Sequence, residues 1–179
     1  MNKWMQGWAA TLMLALLPGA AAAAEPQSLK AALSWSGHGK VFLIGVDKKE
    51  FLGVIEGVLY TESSEGEVDE AFMECSVKQL LDVKQAKTRA EGNCIIVQSG
   101  DDNVFASYTC NGGSGGCRGK LTLNSGTGRF KGISGSSPMI IRSPMQYLAE
   151  ALTDAEELVV DHGVMLLPDL QYRLKGGKS

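Results

Sequence analysis

Glycine spacing is the feature that most constrains how this chain can fold. Eleven of its 22 glycines lie between Gly92 and Gly135. A glycine inside a helix costs about 1 kcal/mol relative to alanine, so this stretch disfavours helices. Glycine suits short strands that are bent at corners and joined by tight turns. We therefore expect a mostly β protein.

Apolar residues alternate with polar ones in several short runs, which is the pattern of strands with one buried face. Val41 to Val46 and Phe51 to Tyr60 flank a polar turn and predict a hairpin. Asn103 to Thr109 alternates, and Leu170 to Leu174 predicts a closing strand. Such strands predict a small antiparallel β-barrel or a sandwich, because closure removes the unpaired edges of an open sheet. The alternation predicts three shared faces, which are Val104, Ala106 and Tyr108, then Leu121 and Leu123, and last Leu170, Tyr172 and Leu174.

One helix is expected, near the C-terminus. Ser143 is a capping residue, Pro144 stands at the first helical position, and Gln146 follows the cap by three residues. A second helix start at Thr153 competes with this one. We predict one short helix over residues 144–157.

The N-terminal segment is typical of a secretory signal peptide. The only charged residue before Glu25 is Lys3, and an apolar run is followed by small residues that end at Ala24. The apolar run is shorter than the ~20 residues that span a bilayer, which disfavours a membrane anchor. We predict a cleaved signal over residues 1–24 and a single β-barrel domain over residues 25–179. The mature chain is then periplasmic or secreted, with no membrane insertion.

The net charge of the mature chain argues against some classes of binding partner. Removing residues 1–24 takes the formal net charge from −3 to −4, because Lys3 is the only charge lost. An acidic chain without a polybasic run argues against binding to nucleic acid or to an anionic membrane surface. Acidic residues concentrate between Glu62 and Glu74, which we interpret as a solvated loop and strand edge. Their spacing does not match a calcium-binding EF-hand loop.

Four cysteines follow the predicted signal, and an oxidising compartment favours their pairing as disulfides. Four cysteines allow three connectivities. We prefer Cys75–Cys94 and Cys110–Cys117, because the glycine-rich segment inside the second pair can close on itself. Zinc is disfavoured, since structural zinc sites usually take cysteines two to four residues apart. We expect no metal ion and no cofactor.

The segment GTGRFKGISG, from Gly126 to Gly135, carries a resemblance to a known family. It is similar to the GTG-x-[FY]-x-G-[IV]-x-G signature of allene-oxide-cyclase-like small β-barrels, and most similar to their uncharacterised exported bacterial members. The resemblance covers about Cys75 to Gly135 and implies a barrel. Glycines of such a signature supply positive φ at a turn and permit strand bending. The glycines given this structural role are Gly126, Gly128, Gly132 and Gly135.

The resemblance implies no activity. Plant cyclases of the superfamily isomerise an unstable epoxide inside the barrel, but their polar catalytic residues find no matching positions in this sequence. Fold similarity alone does not confer function.

Other catalytic patterns are weak, and we predict no catalytic residue. Ser114 lies in a literal G-x-S-x-G match, but a hydrolase nucleophile needs a strand-to-helix turn rather than a glycine loop. The glycines after Gly126 open no helix, which disfavours phosphate binding. We interpret His38 and His162 as surface residues. Adjacent residues of a strand point to opposite faces, so Asp161 is poorly placed to orient the neighbouring His162.

Trp35 is the sole tryptophan after the predicted signal, and it either plugs the barrel or forms a stacking wall for a ligand. The leading hypothesis is an exported, non-catalytic barrel that binds a small apolar ligand in its interior. One alternative is an isomerase or cyclase acting on a hydrophobic substrate, which requires an ionisable residue buried in a pocket. The other is an envelope protein-interaction module that uses the acidic stretch 62–74 or the loop 111–116.

Overall fold

The computed structural model describes residues 26–113, 115–143 and 157–175, with backbone alone for 157–161. Eight strands form a closed antiparallel barrel in which each strand pairs with the next in sequence, and the last pairs with the first. This confirms the predicted fold class. The strands are β1 Gln27–Gly45, β2 Lys48–Ser63, β3 Val68–Asp82, β4 Lys87–Ser99, β5 Asp102–Gly113, β6 Gly116–Gly126, β7 Ser134–Arg142 and β8 Glu157–Arg173.

The alternation of the sequence directs side chains into and out of the barrel. In β1, Ala31, Leu33 and Trp35 are buried, while Ser34 and Ser36 at the alternate positions are exposed. Successive strand side chains point to opposite faces, so one apolar set fills the interior. The residues predicted to share faces in β5 and β6 are all buried, whereas in the β8 set Leu170 is buried and Tyr172 and Leu174 are partly buried.

The middle of the barrel is filled by side chains. The residues of this central layer, each at most 1% exposed, are Leu33, Met73, Leu121, Met139, Met165 and Leu167. Their positions divide the barrel interior into two ends that do not share lining residues. Eight-stranded barrels are just wide enough for such filling.

Both predicted disulfides are present and lie inside the barrel wall. Cys75 and Cys94 are direct partners on β3 and β4, with their Cα atoms 4.0 Å apart. Cys110 and Cys117 join β5 to β6, with their Cα atoms 5.6 Å apart. All four side chains are buried. Disulfides are as expected for an oxidising compartment.

The strands are longer than the sequence runs suggested. The predicted hairpin forms the ends of β1 and β2, but β1 already begins at Gln27. The closing strand predicted at Leu170 is the last part of β8. Closing a barrel requires strands that are tilted and long. The glycines that interrupt the apolar runs lie inside the strands and do not end them.

One sequence interpretation is refined by the fold, and another lies almost entirely outside the described residues. In the stretch from Glu62 to Glu74, residues 64–67 form an exposed connection and residues 68–71 of β3 pair with β2 alone, as a solvated loop and strand edge would. The stretch goes beyond that interpretation only where residues 72–74 pair with both β2 and β4. The helix predicted over residues 144–157 falls outside the described residues, except that Glu157 begins β8 and is therefore extended.

Candidate functional site

The two ends of the barrel interior differ in size. The wide mouth is the end bordered by the connections 64–67, 100–101 and 127–133. It holds a pocket of about 350 Å³. The narrow end is the opposite one, bordered by the turns 46–47 and 83–86 and by the end of β7 at Arg142. It holds a cavity of about 50 Å³.

The pocket in the wide mouth has an apolar floor and a polar rim. The floor rests on Leu59 and Leu123, which are almost fully buried beside the central layer. Pockets that bind small molecules typically pair apolar walls with a few placed polar groups. The apolar lining residues are Leu29, Leu59, Ala71, Ile96, Val104, Leu123, Phe130, Ile133, Leu170, Tyr172 and Leu174, and the polar ones are Thr61, Asp69, Glu70, Gln98 and Arg129.

Hydrogen bonds and an ion pair hold the polar rim. Arg129 Nε lies 3.1 Å from Asp102 Oδ2, and the Arg129 backbone N–H donates to Asp102 Oδ1 at 2.9 Å. The Arg129 guanidinium carbon lies 5.0 Å from the Phe130 ring centroid, within cation–π range. Gln98 Nε2 donates to Asp69 Oδ2. The rim thus carries both signs of charge around an apolar interior.

The glycine signature builds one wall of the wide mouth. Gly128 and Gly132 have φ of +53° and +81°, in the left-handed region that favours glycine. Between them the short 3₁₀ turn Gly128–Phe130 directs Phe130 toward the pocket, and Ile133 follows as a buried residue. Thr127 Oγ1 donates to the Asp101 carbonyl and accepts from the Asn103 N–H at 3.1 Å.

The two outer glycines of the signature act by allowing close approach. A Cβ on Gly126 would lie 2.6 Å from the Phe130 carbonyl oxygen, and one on Gly135 would lie 2.2 Å from the Gln171 oxygen. Neither position has positive φ. Sequence reasoning identified all four glycines as structural but missed that they place Phe130 and Ile133 in a pocket wall.

Trp35 lines the cavity at the narrow end and is 7% exposed. Its indole packs against two glycines, Gly37 on β1 and Gly163 on β8, which leave room for it because they have no side chain. A Cβ atom added at Gly163 would lie only 2.6 Å from Trp35 Cζ2, and one added at Gly37 would lie 3.3 Å from Trp35 Cζ3. Within the described ranges, the buried Trp35 Nε1 has no hydrogen-bond partner. Trp35 is therefore both a plug and the wall of a small cavity.

Neutral polar groups share the narrow end with Trp35. Gln79 and Thr88 are buried, and Gln79 Nε2 donates to Thr88 Oγ1 at 2.8 Å. Ser143 is also buried and lines the cavity. Burial raises the pKa of the Tyr108 phenol well above its ordinary value, because the site disfavours the phenolate. Tyr108 therefore stays protonated and can donate a hydrogen bond.

The two histidines lie away from both pockets. His38 on β1 and His162 on β8 are exposed, and His162 is paired with Ser36 across the strands. Among the described residues, no group of three or more His, Cys, Asp or Glu side chains is arranged to hold a metal ion. Ser114 lies outside the described residues.

The surfaces considered for protein interaction lie at opposite ends. The acidic residues between Glu62 and Glu74 are exposed near the wide mouth. The segment 111–116 lies at the narrow end, where most of it belongs to the paired strands β5 and β6. The two surfaces therefore cannot form a single contact patch.

No protein-family model, curated protein or solved structure shows significant similarity to the chain. No helix in the described part of the chain has the length and hydropathy that crossing a membrane requires.

Proposed function

We propose that the protein is an exported, non-catalytic barrel that binds one small apolar ligand in its wide mouth. The observation that supports this proposal is the pocket of about 350 Å³, open at one end of a barrel whose middle is packed. This volume falls in the range of about 300–1,000 Å³ typical of small-molecule sites. The charged rim remains hydrated when the apolar body of a ligand enters.

A neutral fluorescent probe, N-phenyl-1-naphthylamine, tests this proposal. We expect saturable binding of one probe per chain, with the emission enhancement of an apolar site. Ala71→Trp fills the pocket wall and weakens binding at least tenfold. The matched control is Val68→Trp on the same strand, where Val68 is 70% exposed and does not line the pocket. Equal binding by the two variants would contradict the site.

Export is the second part of the proposal. The signal pattern over residues 1–24 and the two buried disulfides support it. Mass spectrometry of protein recovered from outside the cytoplasm should give a chain that starts at Glu25 and carries no free thiol. Recovery of the uncleaved chain in the cytoplasm would contradict export.

We also propose membership of the allene-oxide-cyclase-like superfamily. The closed barrel and the positive φ of Gly128 and Gly132 within the signature support the proposal. It predicts that relatives of this chain keep these two glycines together with an aromatic residue at the position of Phe130. Relatives that retain the barrel but replace both glycines would count against it.

An isomerase or cyclase is the second candidate, and Tyr108 is the observation that favours it. A buried phenol that stays protonated can polarise an oxygen atom of a hydrophobic substrate. Tyr108 lines the cavity of about 50 Å³, so this candidate requires a substrate of two or three heavy atoms, such as ethylene oxide. Tyr108→Phe then abolishes turnover of that epoxide without changing probe binding in the wide mouth. Absence of turnover by the unmodified protein leaves the binding function as the proposal.

A further inference from the structure

We propose that the cavity at the narrow end is a second binding site, which takes a compact uncharged molecule that accepts a hydrogen bond from Trp35 Nε1–H. This inference goes beyond ligand binding in the wide mouth, because the two sites share no lining residue. It predicts a ligand of different chemistry from the apolar one proposed there.

The unpartnered indole N–H is the first argument. Buried polar groups in folded proteins nearly always have a hydrogen-bond partner, and the N–H of a buried tryptophan usually finds one. Trp35 Nε1 is buried without a partner in the described part of the chain, and Trp35 lines a cavity. A ligand with an acceptor atom supplies what this donor lacks.

The lining of the cavity restricts the charge of the ligand. The polar side chains on it are Gln79, Thr88, Tyr108 and Ser143, and all four are neutral. None of the described residues that line the cavity carries a charge. Lys49 is buried at the same end of β2 but is not part of this lining. An ion entering the cavity would lose its hydration and meet no counter-charge on the lining, so the lining favours uncharged molecules.

The size of the cavity restricts the ligand further. An engineered cavity of about 150 Å³ holds benzene, so about 50 Å³ accommodates two or three heavy atoms. A nitrile, a small carbonyl compound or a short alcohol has this size and carries one acceptor. The position of the indole beside the cavity depends on glycine, because a Cβ at Gly163 would lie 2.6 Å from Trp35 Cζ2.

Acetonitrile and xenon are the probes that test the site. Acetonitrile fits the cavity and accepts a hydrogen bond, whereas xenon fills apolar cavities but accepts none. We expect acetonitrile to move the indole ¹H–¹⁵N resonance of Trp35 downfield in a saturable way, with a dissociation constant in the millimolar range. Xenon should bind without this downfield shift. Trp35 is the sole tryptophan of residues 25–179, so its resonance is unambiguous.

A variant separates the hydrogen bond from simple filling of the cavity. Trp35→Phe keeps an aromatic ring but removes the donor. Acetonitrile binding, followed on the methyl resonances of Ile55, should weaken about tenfold, as expected for one buried hydrogen bond. Xenon binding should persist. If the variant does not fold, the indole shift of the unmodified protein decides the proposal.

Three outcomes would overturn the inference. One is a Trp35 resonance that acetonitrile does not move, and another is a shift that does not saturate. The third is an ordered water on Nε1, detected by exchange cross-peaks, that acetonitrile fails to displace. Saturating the wide mouth with N-phenyl-1-naphthylamine should leave acetonitrile binding unchanged, so failure of one site is distinguishable from failure of the other.

Discussion

The wide mouth and the narrow end are built from the same eight strands but are closed in different ways. At the wide mouth the apolar floor stands open under a rim that includes Arg129 and Asp69. At the narrow end large aromatic side chains, Trp35 and Phe51, occupy the interior and leave about 50 Å³. The difference shows that a barrel of fixed strand number sets its free volume by side-chain size at each end.

Glycine explains how the narrow end accommodates these rings. The Phe51 ring packs directly on Gly39 and Gly53, which have no side chain to block it. A Cβ atom added at Gly53 would lie 2.5 Å from Phe51 Cζ, and one added at Gly39 would lie 2.7 Å from Phe51 Cε2. Glycines in barrel strands permit such close packing of a ring on backbone. At the wide mouth, the glycines of the signature instead shape the connection between β6 and β7, which carries Phe130.

The largest effect is expected from removing one phenylalanine at each end of the barrel, which tests whether the two ends are packed differently. Phe51→Ala should lower the free energy of unfolding by about 3–5 kcal/mol, because it removes a buried ring and leaves a cavity. Phe130→Ala should lower it by about 1–2 kcal/mol, because Phe130 is only partly buried and its space is already open. Urea unfolding of both variants measures the two costs, and equal costs would refute the contrast.

The disulfides provide the next test. Replacing Cys75 and Cys94 by alanine should cost about 3.3 kcal/mol, and replacing Cys110 and Cys117 about 2.5 kcal/mol, from the loop lengths that they close. Cys117 borders the narrow cavity, so the second pair alone should change the Trp35 fluorescence of the folded protein. Probe binding in the wide mouth should be the same in both variants. A loss of that binding with the second pair would show that the ends are coupled.

A pH test isolates the burial of Tyr108 at the narrow end. The folded pKa of this phenol is raised above 10, so its contribution to stability is complete below pH 10 and is lost as the pH rises from there. We expect the free energy of unfolding to fall by about 1.4 kcal/mol per pH unit more steeply than in Tyr108→Phe. Tyr60→Phe, on the exposed outer face, is the control and should keep the steep fall. The same pH dependence in Tyr108→Phe would contradict the assignment.

The smallest effect is expected at the rim of the wide mouth. Arg129→Gln removes the ion pair with Asp102, in which the arginine side chain is 56% exposed. Exposed pairs contribute little, so the free energy of unfolding should fall by less than about 1 kcal/mol. Thermal unfolding at low and high salt measures this change. A larger loss would mean that the rim supports the barrel rather than only bordering the pocket.

Much of the barrel was predictable from local patterns, and the failures have a common cause. Alternation in β5 and β6 identified the buried residues there, and the Cys110–Cys117 pair followed from the glycine-rich segment between them. The strand β3 was missed because its first half carries the acidic residues Asp69, Glu70 and Glu74, which resemble a loop. Outward positions hold both charged residues and apolar ones such as Phe72 and Leu80, so they follow no pattern that would mark a strand.

The candidate site was less predictable than the fold. Trp35 was singled out by being the sole tryptophan after residue 24, but nothing local indicates that its Nε1 lacks a partner. Phe130 lies inside a signature interpreted for its glycines alone. The apolar lining of the wide mouth comes from seven of the eight strands and the β6–β7 connection, and no single stretch of sequence records that convergence.

Composition, glycine spacing and alternation by themselves determined that this chain forms strands, which residues share a face, and that Cys110 lies within reach of Cys117. Only the tertiary structure decided that the interior is packed in the middle, open at one end and nearly filled at the other. The physical reason is that strand formation depends on neighbours in sequence, whereas the volume left inside a closed barrel depends on which side chains from distant strands meet at the same height.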